Sequence, residues 1–281
     1  MKFSVIIPVY NCASYLRECL DSVCAAAEKV KMEGVGVQRK DRPFVEVICV
    51  DDGSTDGSGE MLDEYAHRST PTPSTYTFRV LHQQNRGEGG ARNVGLDVAT
   101  GDWIEFVDAD DLLAPTAFAD AMMLIGRHPD ADLVALGKAD FRNDKRPDSA
   151  SEGGLEERVL ERRDCLPRAV AMVGLFQMFI RRDICADLRF TGYCMGADRV
   201  YVHQVIRRVR KAVLSDKVGY FYRIHGASVS HSRMTFRKRW DNFRHAAHVL
   251  AILLVTPQAG WRIRLRYVRA TGEKLLGVLG V

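Results

Sequence analysis

"WIEFVDADDLL" (residues 103–113) drives an apolar run straight into three aspartates, Asp108, Asp110 and Asp111. Trp103 to Val107 has the aromatic and β-branched character of a buried strand, and the carboxylates stand where that strand would end. Like charges this close repel, so the cluster belongs either to a solvated turn or to a site that receives a cation. Which of these it is depends on the strand ends that gather around it.

Two other apolar runs stop in the same way. "FSVIIPV" (3–9) leads into Tyr10 and Asn11, and "VEVICV" (45–50) leads into the turn "DDGSTDGS" (51–58). Between them, "SYLRECLDSVCAAAEKV" (14–30) sets Leu16, Leu20, Val23 and Ala27 on one helical face behind Ser14 as a cap. A helix after the turn places Met61, Leu62 and Tyr65 inward, "TFRVLH" (77–82) reads as a strand, and "ARNVGLDVA" (91–99) as a helix. Strand and helix alternate, which predicts an α/β fold: a mixed, mostly parallel central sheet flanked by helices. In an open sheet of this kind ligands sit outside the carboxyl ends of the strands. Asp51, Asp52, Asp108, Asp110 and Asp111 would then line one crevice.

The second half is less regular. A helix is expected from Thr116, just after Pro115, then the strand "ADLVALG" (131–137), a helix over 164–173, the short strand "QMFI" (177–180) and a helix from Asp198. "KVGYFYRI" (217–224) alternates as a strand, and a long basic helix begins at Phe236. The polar stretches 29–43, 68–76 and 141–154 read as surface excursions. Charge divides unevenly: residues 201–281 hold 16 Lys and Arg against 3 Asp and Glu, leaving 24 against 33 for residues 1–200. A tail this basic favours an anionic partner.

Several classes of protein fit poorly. The 281-residue chain has no run of 18 apolar residues for a transmembrane helix, and "MKFSVIIPVY" lacks the regions of a secretory signal. Its seven cysteines are dispersed, without the paired CxxC spacing of a structural zinc site, and fit buried thiols in a reducing cytoplasm. A nucleotidyltransferase would need a basic phosphate clamp after the first strand, and "PVYNCASYL" (8–16) has none. The loop "NRGEGGARN" (85–93) is neither a Walker loop nor GxGxxG.

Other features do point to a chemistry. "DADD" offers hard oxygen ligands suited to Mg2+ or Mn2+ shared with substrate phosphates. Asp51 can accept hydrogen bonds from a ligand ring or sugar, with Gly53 permitting a left-handed turn beside it. Arg92, with Asn93, is placed to meet a diphosphate. Each of these segments taken alone would also serve as a polar turn or helix start.

Together, "FSVIIPVYNCASYLRECLDS", "VICVDDGSTDGS", "NRGEGGARNVGLDVATGDWIEFVDADD" and "YFYRIHGASVSHS" resemble a family 2 glycosyltransferase of the GT-A fold. The likeness is close over about 1–115 and looser over 175–235. It implies a GT-A domain over 1–235, with a nucleotide-sugar half to about 115 and an acceptor half over 116–235, followed by a basic helical extension over 236–281. By the same resemblance Pro8, Val9 and Tyr10 flank the nucleotide base and ribose, Asp51 bonds a uracil ring, and Arg92 belongs to the loop near the sugar-nucleotide. Asp108 and Asp110 match the metal-associated DxD element, Asp110 as the direct ligand of Mn2+ or Mg2+ and Asp108 at the ribose or a metal-bound water. Asp111 is a supporting neighbour near sugar hydroxyls, His225 lies near the diphosphate or metal, and Arg223 and Ser230 are weaker candidates in the same loop.

The family's catalytic base precedes a helix in a "GED"-like element, which here reads "MGAD" (195–198): Ala197 replaces the glutamate and Asp198 is left as the base. Glu88, Gly89 and Gly90 also depart from the family's serine and alanine. The implied function is inverting transfer of a sugar from a nucleotide-diphosphate donor, a UDP-sugar by resemblance, to a hydroxyl of a saccharide or lipid-linked saccharide in cell-envelope polysaccharide or lipopolysaccharide synthesis. The alternative is a nucleotide-sugar-binding protein degenerate at "MGAD", with a regulatory or scaffolding role. The expected location is cytoplasmic, peripheral to the inner face of the cell membrane, where the arginines interleaved with apolar residues in the tail would rest on anionic lipid. No nucleic acid is expected as a partner.

Overall fold

The computed structural model describes residues 1–33, 44–68, 75–142, 156–162, 164–165, 175–226, 234–257 and 259–279. The strands β1 (Lys2–Val9), β2 (Phe44–Asp51), β3 (Tyr76–His82) and β4 (Trp103–Phe106) run parallel in the order β3-β2-β1-β4. From Phe3 to Val9 every residue of β1 is buried, because both faces of the sheet are covered. Alternate side chains enter different layers. Phe3, Val5, Ile7 and Val9 meet Leu16 and Leu20 of α1 (Ala13–Glu33), Leu62 of α2 (Ser58–Arg68) and Phe118 of α4 (Ala117–Arg127). Ile6 points the other way, toward Leu96 of α3 (Glu88–Val98) and Val200 and Tyr201 of α6 (Ala197–Arg208).

The chain builds outward from β1 through β2 and β3, then returns to lay β4 on the other side of β1. That reversal is a topological switch point, where open sheets of this kind hold their ligands. Beyond it the sheet becomes mixed. β8 (Met178–Arg181) pairs antiparallel with β4 and with β6 (Leu133–Phe141), while β9 (Lys211–Arg223) runs parallel to β6. β5 (Leu112–Leu113) and β7 (Glu157–Glu161) both pair antiparallel with β9. The short α5 (Arg182–Cys185) follows β8, and α7 (Phe236–Leu254) and α8 (Trp261–Leu279) form the expected C-terminal helical extension. It is joined to the body by its core, since Val249, Ile252 and Leu253 of α7 are buried in the α6 layer.

Three local expectations change. α1 begins at Ala13, so Ser14 lies inside its first turn, and the orphan amides are met from elsewhere: Cys12 N–H donates to Ser58 Oγ and Ala13 N–H to Asp56 Oδ2. β9 starts at Lys211, six residues ahead of the expected 217, and β7 was not expected at all. The expected helix over 164–173 lies outside the described residues except at 164–165, and Ser230 lies outside them as well. All seven cysteines are free thiols, with Cys19 and Cys49 in the core and Cys12 half-buried. Among the described residues no helix is long and apolar enough to cross a membrane.

One core position bears on stability. Glu105, in β4, is buried with Oε2 unpartnered among the described residues, and burial pushes its carboxyl well above the ordinary 4.5. The folded state therefore holds a proton there that the unfolded chain releases, so stability is fullest below about pH 4.5 and falls as pH rises toward the folded value. Relative to wild type, Glu105→Gln is expected to gain up to ~1.4 kcal/mol per pH unit above that point. Urea melts at about pH 5 and about pH 7.5 test this, and a constant difference between the two proteins would refute it.

Candidate functional site

At the tip of β2 the backbone turns sharply through Gly53, whose φ of 79° a side chain would strain. The turn presents Asp51, whose Oδ1 accepts from Ser54 N–H (2.9 Å) and whose Oδ2 pairs with His82 Nδ1 (2.9 Å). Burial pushes the Asp51 carboxyl up, but the bonds from Ser54 and His82 outweigh it and hold it below the ordinary value. His82 is raised in turn, chiefly by Asp51. Asp51 and His82 are register partners at the ends of neighbouring parallel strands, and this adjacency is the signal that would have exposed the pair. Asp52 is buried, accepting from Gln83 Nε2 (2.6 Å) and Arg86 N–H (2.8 Å) to tie down the 83–86 loop.

At the tip of β1, Pro8 and Val9 are buried, and Tyr10 exposes about half of its ring. Only Tyr10 of the three therefore presents a side chain to the crevice mouth. Asn11 has a left-handed φ of 49°, and its Oδ1 accepts from Thr55 N–H (2.8 Å), locking the β1 and β2 tips together.

The aspartates after β4 separate into three environments. Asp111 is buried, with Oδ2 accepting from Tyr220 Oη (2.7 Å) and Oδ1 from Arg223 N–H (2.7 Å). Its carboxylate anchors the turn to β9. Tyr220 Oη also accepts from Asp108 N–H (3.1 Å), so one buried hydroxyl holds both ends of "DADD". Asp108, partly exposed, pairs through Oδ1 with Arg92 (2.6 Å). Asp110, also partly exposed, faces His225, with Oδ2 at 2.8 Å from Nε2. Burial pushes the carboxyls of Asp108 and Asp111 upward, and the other aspartates of the cluster add to it.

Arg92 does not open toward the crevice. Its guanidinium is buried, bonded to Glu88 (2.5 Å) and Asp108 and lying over the Phe190 ring at 5.3 Å. Burial lowers its pKa, but Glu88, Asp108 and Asp198 together carry it above the ordinary value. The Phe190 ring beneath it stacks on Tyr201 of α6, with centroids 3.9 Å apart, and so ties the Arg92–Asp108 pair to the helix whose first turn carries Asp198. Arg223 is buried too. Its Nε donates to the Asp110 carbonyl (2.8 Å), its guanidinium reaches Glu18 (2.8 Å), and Tyr15 and Phe141 sandwich it at 5.0 and 4.6 Å. Tyr15 also packs on His225, with ring centroids 4.6 Å apart.

The segment that delivers Asp198 is held from behind by α7. Gly196 has φ 79°, and a Cβ there would overlap the His245 imidazole. Cys194 N–H donates to buried Asp241 (3.0 Å), and Arg244 lies over the Tyr193 ring at 4.6 Å. Burial, then Lys274 and Arg199, lower His245 to about 4, so its neutral Nε2 accepts from Lys274 Nζ (2.9 Å). Spacing could not reveal this clamp, because α7 follows the segment by some forty residues and shows no motif of its own. Gly196→Ala is expected to cost about 1–3 kcal/mol through positive φ and overlap. In denaturant melts His245→Ala should recover part of that loss, and strict additivity of the two substitutions would contradict the overlap.

No group of three or more His, Cys, Asp and Glu able to hold a metal is assembled among the described residues. The crevice offers instead a partial set, the Asp110 carboxylate beside the His225 imidazole, with His225 Nδ1 buried and unpartnered among those residues. Such a set fits a small divalent ion that takes its remaining ligands from phosphate and water.

The sequence model for the family described as "Glycosyl transferase family 2" matches residues 4–189. The chain belongs to glycosyl transferase family 2. Among curated relatives of this family 2 chain, the uncharacterized glycosyltransferase YibD of Escherichia coli is 29% identical over 266 residues, covering 90% of this chain and 70% of YibD. The minor teichoic acid biosynthesis protein GgaB of Bacillus subtilis is 28% identical over 254 residues, covering 85% of this chain but only 25% of GgaB. Among solved structures, S. aureus TarS 1-349 in complex with UDP-GlcNAc superposes with a TM-score of 0.71 at 22% identity, covering 98% of this chain and 72% of that one. The GT-A-like fold and the family together assign the class of reaction: transfer of a sugar from a nucleotide-sugar donor to a saccharide acceptor.

Proposed function

We propose that this family 2 enzyme is an inverting, divalent-metal-dependent transferase that moves a sugar from a nucleoside-diphosphate donor, a UDP-sugar foremost, onto a hydroxyl of a cell-envelope saccharide, free or lipid-linked. The observation that carries the reading is the gathering of the β1, β2 and β4 tips at the switch point, tied to α6 by Arg92, which pairs with Asp108 and lies over Phe190, itself stacked on Tyr201 of α6. Asp51, kept ionised by Ser54 and His82, is suited to accept from a ring N–H of the base, and exposed Tyr10 at the tip of the adjoining β1 offers a ring to the same base. Asp110 and His225 would hold the ion, with Asp108 next to them, and the ion when bound supplies positive charge to the diphosphate as the sugar departs.

Arg92 and Arg223 serve this chemistry indirectly. Arg92 fixes Asp108, and Arg223 fixes the Asp110 backbone, so both carboxylates wait in place without reorganising. Asp111 with Tyr220 has the same supporting role rather than a sugar contact, since both its oxygens are engaged below the surface. Asp198 takes the proton of the acceptor hydroxyl from the side opposite the leaving group, and attack from that side inverts the anomeric centre. Ala197, buried where the family carries glutamate, leaves Asp198, partly exposed, as the carboxylate of this segment.

Relatives support the cell-envelope assignment: GgaB is a minor teichoic acid biosynthesis protein, and the poly(ribitol-phosphate) beta-glucosyltransferase of Bacillus spizizenii is 34% identical over 120 residues. On the donor side, TarS binds UDP-GlcNAc, while a Pyrobaculum calidifontis mannosyltransferase of similar fold (TM-score 0.60, 18% identity) binds GDP-Man and Mn2+. The test is therefore a screen of UDP- and GDP-sugars for donor hydrolysis with and without Mn2+. Hydrolysis of a UDP-sugar that chelation abolishes supports the reading. Nucleotide binding with no hydrolysis of any donor would favour a degenerate binding protein.

A further inference from the structure

α8 is apolar on two sides. One side packs inward: Ile263 and Tyr267 join the α6–α7 core, Tyr267 Oη meets His203 Nε2 at 3.0 Å, and Lys274 meets His245. On the other side Trp261, Leu265, Val268, Leu275 and Leu276 stand 37% to 69% exposed. At 100° per residue these five fall within an arc of about 100°, a continuous stripe some 22 Å long with Gly272 in its middle. Soluble surfaces seldom leave large apolar side chains aligned in this way without a partner.

Charge chooses the partner. Arg262, Arg266 and Arg269 are exposed along one edge of the stripe, and Glu273, the only acidic residue of the helix, pairs with Arg269 there at 3.0 Å. Arg262 lies over the Trp261 ring at 5.4 Å, setting a cation beside the largest apolar group. At the far end of the hairpin, where Arg239 reaches the Gly277 carbonyl, α7 adds exposed Phe236 and Trp240 beside Arg237 and Lys238. A second copy laid stripe to stripe would bring two arginine edges together with few carboxylates to answer them. An acyl and headgroup layer of negative charge matches both features, taking the apolar residues into its boundary and the guanidinium groups onto its phosphates.

We infer that the outer face of α8 is a docking surface for an anionic lipid bilayer, with Trp261, Leu265, Val268, Leu275 and Leu276 entering the interface and Arg262, Arg266 and Arg269 binding headgroups. Because α7 also clamps the Asp198 segment through His245 and Asp241, a docked hairpin would hold the base-bearing end of the crevice next to the membrane. The docking itself does not depend on the identity of donor or acceptor.

The full chain is tested by flotation with vesicles of phosphatidylcholine alone and of phosphatidylcholine with phosphatidylglycerol. The chain is expected to float with the mixed vesicles at physiological salt, not with phosphatidylcholine alone, and its tryptophan emission should shift to the blue as Trp261 enters the interface. Each arginine at an anionic surface strengthens partition by about fivefold, so R262E/R266E/R269E together should weaken binding by more than about a hundredfold. L265S/L276S should remove the part of binding that survives high salt. Unchanged melting temperatures would show that both variants remain folded, as expected for outward-facing positions. The inference is overturned by no flotation with the anionic vesicles at low salt, or by equal binding to both vesicle types. Undiminished binding of the triple variant would overturn it too, as would a solution dimer that L265S/L276S disperses.

Discussion

Asp110→Ala is expected to lower sugar transfer by at least ~10²–10³-fold, the usual consequence of removing a group that stabilises developing charge. The same change should weaken binding of a nucleoside diphosphate with Mn2+ by at least about tenfold, while leaving metal-free binding of the nucleoside portion almost unaltered. Both effects follow from position. Asp110 is the partly exposed carboxylate of the "DADD" turn that faces an imidazole, whereas Asp111 is spent on Tyr220 and Arg223 and Asp108 on Arg92. Initial rates, with calorimetry across a Mn2+ series, would measure both. A variant that keeps wild-type metal-dependent affinity would remove Asp110 from the metal site.

Asp198→Asn is expected to cost ~10²–10⁴ in turnover and to leave donor binding within about twofold of wild type, because a general base acts only as the acceptor loses its proton. The amide keeps the shape of the first turn of α6 and removes the proton acceptor. Asp198 sits in the first turn of α6, at the end of a segment that α7 supports, and makes no hydrogen bond to the Asp110–His225 pair among the described residues, so its loss should leave that pair intact. Rates measured at saturating donor separate this from a binding defect. A variant with normal kcat and a raised donor KM would place Asp198 on the donor instead.

The sheet's ligand-bearing edge is legible in the sequence for a physical reason. β1, β2 and β4 are covered on both faces, so they read as mostly apolar runs, with Ser4, Glu46 and Glu105 the polar interruptions, and each ends at polar or acidic residues that mark its tip. The first part of β9 and all of β7 lie at the side of the sheet with exposed residues interleaved, and there the apolar signal fades. The helix start at Ala13 was hidden because its caps, Ser58 and Asp56, come from another turn.

The site divides along the same line. Which residue types meet can be read from strand ends, but which oxygen each one spends on a neighbour cannot. Arg92 reads as a diphosphate contact by spacing, yet the buried Phe190 ring and two carboxylates claim it. Asp111 reads as a supporting neighbour near sugar hydroxyls, but β9 folds back and takes both of its oxygens. Tyr220 opens the "YFYRIHG" segment, but nothing in the sequence ties it to "DADD", the turn that it holds.

The central claim is a division of labour across the crevice, with the "DADD" turn stabilising the leaving group and Asp198 activating the acceptor. Calorimetric titration of UDP with Mn2+ into Asp110→Ala and Asp198→Ala tests it most directly. Binding lost in the first variant and kept in the second is the predicted result. Equal loss in both would contradict the division.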